Sequence, residues 1–250
     1  MKYEAKDFIA LKGKTPITML TAYTCPVAKC LEKAGIPVIL VGDSLGMVEM
    51  GMSSTREVTI ENMQYHVAAV RRGAPETHII GDMTYNSDTD PDTALRNARL
   101  LLDAGADSIK LEGPKYDVIA HLHKNNVAVC GHTGLTPQTA ANFKQVGKNK
   151  EDADQVLQDA KGIAEAGAFM LVLEHIPDDL AQSITDAIPI PTIGIGAGGN
   201  CDGQVLVVND AIGMGDYWPP FSKQYAYVGK TIVDAATRFR QDVEGKKFPD

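Results

Sequence analysis

One unit of sequence recurs along the chain: a helical run stopped by glycine, then an apolar stretch that ends in a carboxylate. Ala104-Gly105-Ala106 precedes Glu112 by the same spacing as Ala166-Gly167-Ala168 precedes Glu174, and Ala34-Gly35 stands one residue further from Asp43. A period of this length suits a module of one strand and one helix. Strands that alternate with helices pair in parallel. The apolar stretches, Val38-Ile39-Leu40-Val41 among them, lack polar alternation and read as strands buried on both faces. Candidate strands follow at 17–23, 38–43, 78–82, 108–112, 127–132, 169–174, 192–196 and 205–208. That series predicts an α/β fold of the (β/α)8 barrel type, with a doubly wound open sheet as the alternative. The interval between the seventh and eighth strands is too short for a crossover helix, and a single helical turn is expected there.

Helix punctuation supports the same order. A lead-in helix is expected at 7–14. Pro26 suits the first turn of a helix that stops at Gly35. Thr59 is a plausible N-cap for a helix closed by Arg71-Arg72-Gly73, where the cations face the negative end of the helix dipole. Further helices are expected at 91–104, 115–124 and 152–166, from Pro177, and at 222–244, whereas the glycine-, methionine- and serine-rich residues 46–58 read as a loop. The expected organisation is one barrel domain over 1–250. A formal charge of −8 without any basic block argues against a general nucleic-acid binder. No stretch approaches a membrane span, and Met1-Lys2-Tyr3-Glu4-Ala5-Lys6-Asp7 has no apolar signal-peptide core, so a cytoplasmic protein is expected. Cys25, Cys30, Cys130 and Cys201 form no C-x-x-C pair and read as reduced thiols.

The strand ends carry the chemistry. In a barrel they converge on one mouth, which would gather Asp43, Asp82 and Glu112. Period-two alternation puts Lys110 on the same side as Glu112, and His132 and Glu174 end the next two strands. Each has a plainer reading. Asp43 before Ser44 suits a turn cap, Asp82 an N-cap or the salt-bridge partner of Lys110, and His132 a structural role. Independent caps need not all fall at strand ends, which favours a site. Clustered acids repel and take up protons unless a cation joins them. Oxygen donors without a cysteine or a histidine pair suit Mg2+, a Lewis acid able to hold a 2-keto acid and stabilise its enolate. Glu174, after Leu171-Val172-Leu173, is the candidate base, expected to be partly desolvated. The glycines from Gly194 to Gly199 suggest close backbone approach to a ligand or phosphate, or simply a tight turn.

A family resemblance rests on these residues and their neighbours. Val41-Gly42-Asp43-Ser44-Leu45-Gly46, Tyr65-His66 with Ala69-Val70-Arg71-Arg72-Gly73-Ala74, and Lys110-Leu111-Glu112-Gly113 belong to it. So do Cys130-Gly131-His132-Thr133-Gly134-Leu135-Thr136-Pro137-Gln138, Leu173-Glu174, and Gly194-Ile195-Gly196-Ala197-Gly198 with Asp202-Gly203-Gln204. Together they resemble the ketopantoate hydroxymethyltransferases over nearly the whole chain. The resemblance implies a barrel of the phosphoenolpyruvate-binding superfamily. It also implies hydroxymethyl transfer from 5,10-methylenetetrahydrofolate to 3-methyl-2-oxobutanoate, giving 2-dehydropantoate for pantothenate biosynthesis. It further implies Mg2+ at Asp43, Asp82 and Glu112, and the keto acid held by Asp43, Ser44, Asp82 and Lys110. Glu174 becomes the catalytic proton acceptor with His132 beside the substrate, and the assembly a homo-oligomer, commonly a decamer. Two stretches depart from the family. Thr84-Tyr85 replaces Pro-Phe, and residues 142–148 only loosely resemble a longer Val-Gln-Gly loop, where lid closure or folate contact would differ. Two other readings stand beside this one. The first is a metal-dependent carbon–carbon lyase of the isocitrate lyase/phosphoenolpyruvate mutase type, whose Lys-x-Cys-Gly-His loop is partly mimicked by Cys130-Gly131-His132. The second is a catalytically dead barrel serving as an assembly subunit, against which the retained carboxylates, lysine and histidine count.

Overall fold

The structure is a computed structural model describing residues 2–249. In chain order it contains α1 (Ala5–Leu11), β1 (Ile17–Thr21), α2 (Cys25–Lys33), β2 (Val38–Val41), α3 (Leu45–Val48), α4 (Ile60–Gly73), β3 (His78–Asp82), α5 (Pro91–Asp103) and β4 (Ser108–Lys110). There follow α6 (Tyr116–Lys124), β5 (Val129–Gly134), α7 (Lys150–Glu165), β6 (Met170–Glu174), α8 (Asp178–Ala187), β7 (Thr192–Ile195), β8 (Gly203–Leu206), α9 (Val208–Ile212) and α10 (Val228–Glu244). The strands close into one barrel in sequence order, parallel in each pair from β1–β2 to β7–β8. Closure excludes the open doubly wound sheet. No helix among the described residues is long and apolar enough to cross a membrane.

The strands read as continuous apolar runs because both faces are covered. Ile17, Met19, Val38, Leu40, Ile80, Cys130, Met170, Val172, Ile193 and Val205 form the barrel interior. Outward residues meet helices. At Gly131 an added Cβ would stand 2.3 Å from Ile163 of α7, so that helix lies almost on the β5 backbone. Phe8 of α1 is fully buried and packs against His78, which opens β3, and Phe169, which precedes β6. The lead-in helix therefore plugs the N-terminal end of the barrel and leaves the opposite end free for chemistry.

Several boundaries differ from the sequence expectations. The lead-in helix begins earlier because Glu4 and Asp7 form a capping box. The expected 46–58 loop contains α3 and a 3-10 turn, Thr55–Glu57, started by the Ser54/Glu57 capping box. Asn149 caps α7 by accepting from the Asp152 N–H, so the helix starts at Lys150, two residues ahead of the expected start. The eighth strand sits two residues earlier than expected. There Gly203 lets β8 approach β1, since a Cβ would lie 2.2 Å from the Ile17 carbonyl. No helical turn joins β7 to β8. Gly196 and Gly198 adopt positive φ instead and fold the chain back directly. The last helix begins at Val228, not 222.

The chain divides into two compact units, Met1–Val205 and Leu206–Asp250. In the second, Gly213 ends α9 in the left-handed conformation and the Tyr225 N–H donates to the Ala211 carbonyl. α10 has no buried residue; Ile232, Val233, Phe239 and Val243 are all exposed.

Candidate active site at the barrel mouth

Period-two alternation along β3, β4 and β5 puts Ile80 and Asp82, Ser108 and Lys110, and Cys130 and His132 on inward positions. The first member of each pair lies deeper; the second, Asp82, Lys110 or His132, lies nearer the open mouth. Register places Asp82 beside Lys110, and the Lys110 ammonium donates to both Asp82 oxygens at 2.7 and 2.8 Å. The plain reading of this pair as a salt bridge is therefore realised, but the pair is not isolated. Asp43, just past β2, and Glu112, two residues past β4, share its electrostatic surroundings, and all four groups are buried. Three carboxylates thus face one ammonium in a region water hardly enters.

The imbalance shows in proton affinities. Burial, and then the neighbouring Asp82 charge, push the Asp43 carboxyl well above its ordinary range; Lys110 only partly offsets them. Burial also raises Glu112, against the pull of His132 and Lys110. For Lys110 burial favours the neutral amine, but the attraction of Asp82, Glu112 and Asp43 outweighs it and holds the ammonium charged.

Four further side chains, Gln138, Arg56, Tyr23 and His66, build the site, and none received a role from the sequence. Gln138, in the loop after β5, donates from Nε2 to Asp43 Oδ2 and to the Met83 carbonyl, both at 2.8 Å, while its N–H donates to Glu112 Oε2 at 3.1 Å. It thereby spaces two of the acids. The Arg56 Nε–H fixes the Gln138 carbonyl at 2.6 Å. Tyr23 shares a 2.8 Å hydrogen bond with the Ser44 hydroxyl, and His66 Nδ1 lies 2.7 Å from the Tyr23 carbonyl. Tyr65-His66 stands in the family pattern, but nothing local in the sequence points to Tyr23.

His132 lies between two acids. Its Nδ1 is 3.6 Å from Glu112 and its Nε2 3.3 Å from Glu174. Neither nitrogen has a hydrogen-bond partner among the described residues, although the ring is buried. A buried unsatisfied imidazole is unfavourable unless another polar group joins it. Glu174 is half-buried and so more open than the other acids, and His175 after it has a φ of 48°, a backbone conformation uncommon outside glycine. The structure thus brings together Asp43, Ser44, Asp82, Lys110, Glu112, His132 and Glu174 at one end of the barrel. The Gly194–Gly199 run does not cradle an anion: a Cβ at Gly198 would lie 2.0 Å from the Asp178 carboxylate, which accepts from the Gly199 N–H. That acid fills the space and would repel a phosphate.

As for a metal, no group of three or more His, Cys, Asp or Glu side chains among the described residues is gathered so that it could hold an ion. Lys110 and Gln138 occupy oxygens of Asp82 and Asp43. Donor type and uncompensated charge nevertheless suit a hard divalent cation. Mg2+ in particular is often held through one or two carboxylates together with its own water.

Comparison with known proteins adds the following. The family model for ketopantoate hydroxymethyltransferase matches residues 2–250. A protein of Pyrobaculum islandicum named 3-methyl-2-oxobutanoate hydroxymethyltransferase is 46% identical, covering 95% of this chain and 94% of its own. One of the same name from Ignicoccus hospitalis is 45% identical over 95% and 93%. Among solved structures, phosphonopyruvate hydrolase in complex with oxalate and Mg2+ superposes with a TM-score of 0.67 at 13% identity, covering 98% of this chain and 88% of that one. The phosphoenolpyruvate mutase/isocitrate lyase superfamily member 2,3-dimethylmalate lyase gives 0.63 at 12% identity over 98% and 89%. At such identities these two speak for the fold.

Proposed function

Because the chain belongs to the ketopantoate hydroxymethyltransferase family, we propose that it transfers a hydroxymethyl group from 5,10-methylenetetrahydrofolate to 3-methyl-2-oxobutanoate, giving 2-dehydropantoate. The observation that carries this reading is the buried excess of carboxylates around Lys110, with His132 between Glu112 and Glu174. Lys110, held charged by its neighbours, would bind the substrate carboxylate or keto oxygen with Ser44 beside it. One or two of Asp43, Asp82 and Glu112, together with its own water, would hold Mg2+, whose chemistry is to draw electron density from the keto group as a Lewis acid. Glu174, the half-buried acid, would take the proton from the branched carbon. His132 would stand against the reacting carbon and fix the orientation of Glu174. The carbon nucleophile so formed would attack the methylene carbon of the donor. At that carbon a new C–C bond and, from water, a C–O bond form while both C–N bonds to folate break, and the two released nitrogens take up the protons lost by the keto acid and the water. Gln138 and Arg56 would keep the acids apart until substrate arrives. The exposed apolar residues of α10 support a homo-oligomer, a decamer by family resemblance.

The carbon–carbon lyase reading is disfavoured by Cys130. Its side chain lies in the closed barrel interior, and burial pushes its thiol up to about 12, so it stays protonated and inert near neutrality.

The test is deuterium exchange at the branched carbon of 3-methyl-2-oxobutanoate, followed by NMR in D2O with Mg2+ and then with methylenetetrahydrofolate. Exchange that becomes 2-dehydropantoate formation when donor is added is the expected result; neither would remove this function. Glu174→Gln should slow exchange by at least about a hundredfold, the range of general-base contributions. A wild-type exchange rate would take Glu174 out of the role.

A further inference from the structure

Beside the charged cluster lies a cavity of about 620 Å3, the size of small-molecule sites in general. It shares Glu112 and Gln138 with that cluster, so a molecule seated in it abuts the proposed keto-acid site. Tyr85, in the loop after β3, and Tyr116, which opens α6, are both part-exposed and contribute flat rings to its lining. Asp88 also lines it. This side chain is 1% exposed, and one carboxylate oxygen accepts from Lys115 while the other, Oδ2, has no hydrogen-bond partner among the described residues. Neither oxygen is needed as a helix cap, since Asp90 caps α5. A buried carboxylate oxygen without a donor is strongly unfavourable, so a ligand bringing N–H groups would satisfy a standing deficit.

The lining also says which ligand. Asp88, Asp90, Asp117 and Glu112 border the cavity and Lys115 is already paired, so an anion is repelled. A flat, neutral ring with donors on one edge fits both the tyrosines and the carboxylate. We propose that this cavity seats the 2-amino-4-oxopteridine head of the one-carbon donor, with Asp88 accepting from its N3–H or 2-amino group. A carboxylate accepting from such an edge makes charge-assisted hydrogen bonds, and tyrosines stack on flat rings. The assignment rests on the one-carbon transfer proposed above and adds where the donor sits and which residue selects it.

Steady-state kinetics of the full-length chain test it, with methylenetetrahydrofolate and the keto acid varied separately. Asp88→Asn and Tyr85→Ser should each raise the donor KM about tenfold or more while the keto-acid KM moves less than about threefold. Metal-dependent deuterium exchange without donor, run on the same samples, reports that the barrel is intact. Wild-type enzyme given a donor that lacks the 2-amino group should show the same rise in KM without any mutation. In Asp88→Asn that donor should cause no further loss. Donor KM unchanged in both variants, or indifference of the wild type to the missing amino group, would overturn the assignment while leaving the transferase reading in place. Absence of both exchange and product in the wild type would overturn the two together.

Discussion

Asp202 fastens three parts of the chain with one carboxylate. It accepts from the Lys12 ammonium, from the Gly13 N–H beyond α1 and from the Thr192 N–H that opens β7, each at 2.9 Å. Partial burial pushes its proton affinity up, but these donors outweigh that effect and leave it below the ordinary value of 3.8. The ionised form is therefore favoured in the folded state. Its contribution to stability is fully present above pH 3.8 and is lost as pH falls through the lowered folded value. Asp202→Asn should melt below the wild type at pH 7, and the gap should close as the solution is acidified below 3.8; a gap independent of pH would show that the charge does not matter. At this scale the sequence was most informative about Asp82, Lys110 and His132. Their residue type and alternate positions are local properties, whereas the roles of Gln138 and Tyr23 depend on partners far along the chain. Gln138 meets an acid 95 residues away and Tyr23 a serine 21 residues away.

Elements are placed by side chains that fit, and at Gly73 by one that is missing. A Cβ there would lie 2.3 Å from the Cys25 carbonyl and 2.9 Å from Ala28, so α2 and α4 cross at near backbone contact. The obstructing atom is backbone, which cannot rotate aside. Gly73→Ala should therefore cost about 1–3 kcal/mol in denaturant unfolding, as overpacking does. Gly199→Ala, with nothing within 4 Å of its added carbon, should stay within about 0.5 kcal/mol. Equal effects would mean that the crossing is looser than the structure has it. Helix starts were legible where caps are local: Thr59 accepts from the Asn62 N–H as its sequence neighbourhood suggests. The eighth strand was placed two residues late because its position answers to Ile17 of the adjacent β1, which lies near the start of the chain, and no local pattern encodes that contact.

On the scale of the whole molecule, one end of the barrel is plugged by Phe8 and the other carries the acids. α10 adds a helix whose apolar side chains are uncovered: Val233 is 63% exposed and Phe239 57%. Light scattering should give a multiple of the chain mass. Val233→Asp with Phe239→Asp should shift it toward a single chain while the barrel's unfolding transition persists, and an unchanged mass would remove α10 from the assembly. The sequence by itself determined the α/β class, the succession of strands and helices along the chain and which carboxylates end which strands. Those follow from periodicity and from the cost of burying a charge anywhere but at a strand end. Tertiary structure alone decided that Asp82 spends both oxygens on Lys110, that Gln138 spaces Asp43 from Glu112, and that Asp178 fills the glycine turn. It also decided that Asp88 is buried with an oxygen to spare. Each of these depends on distances across the closed barrel or between its loops. Those distances are set by how all the strands and helices pack at once, and no short window of sequence contains them.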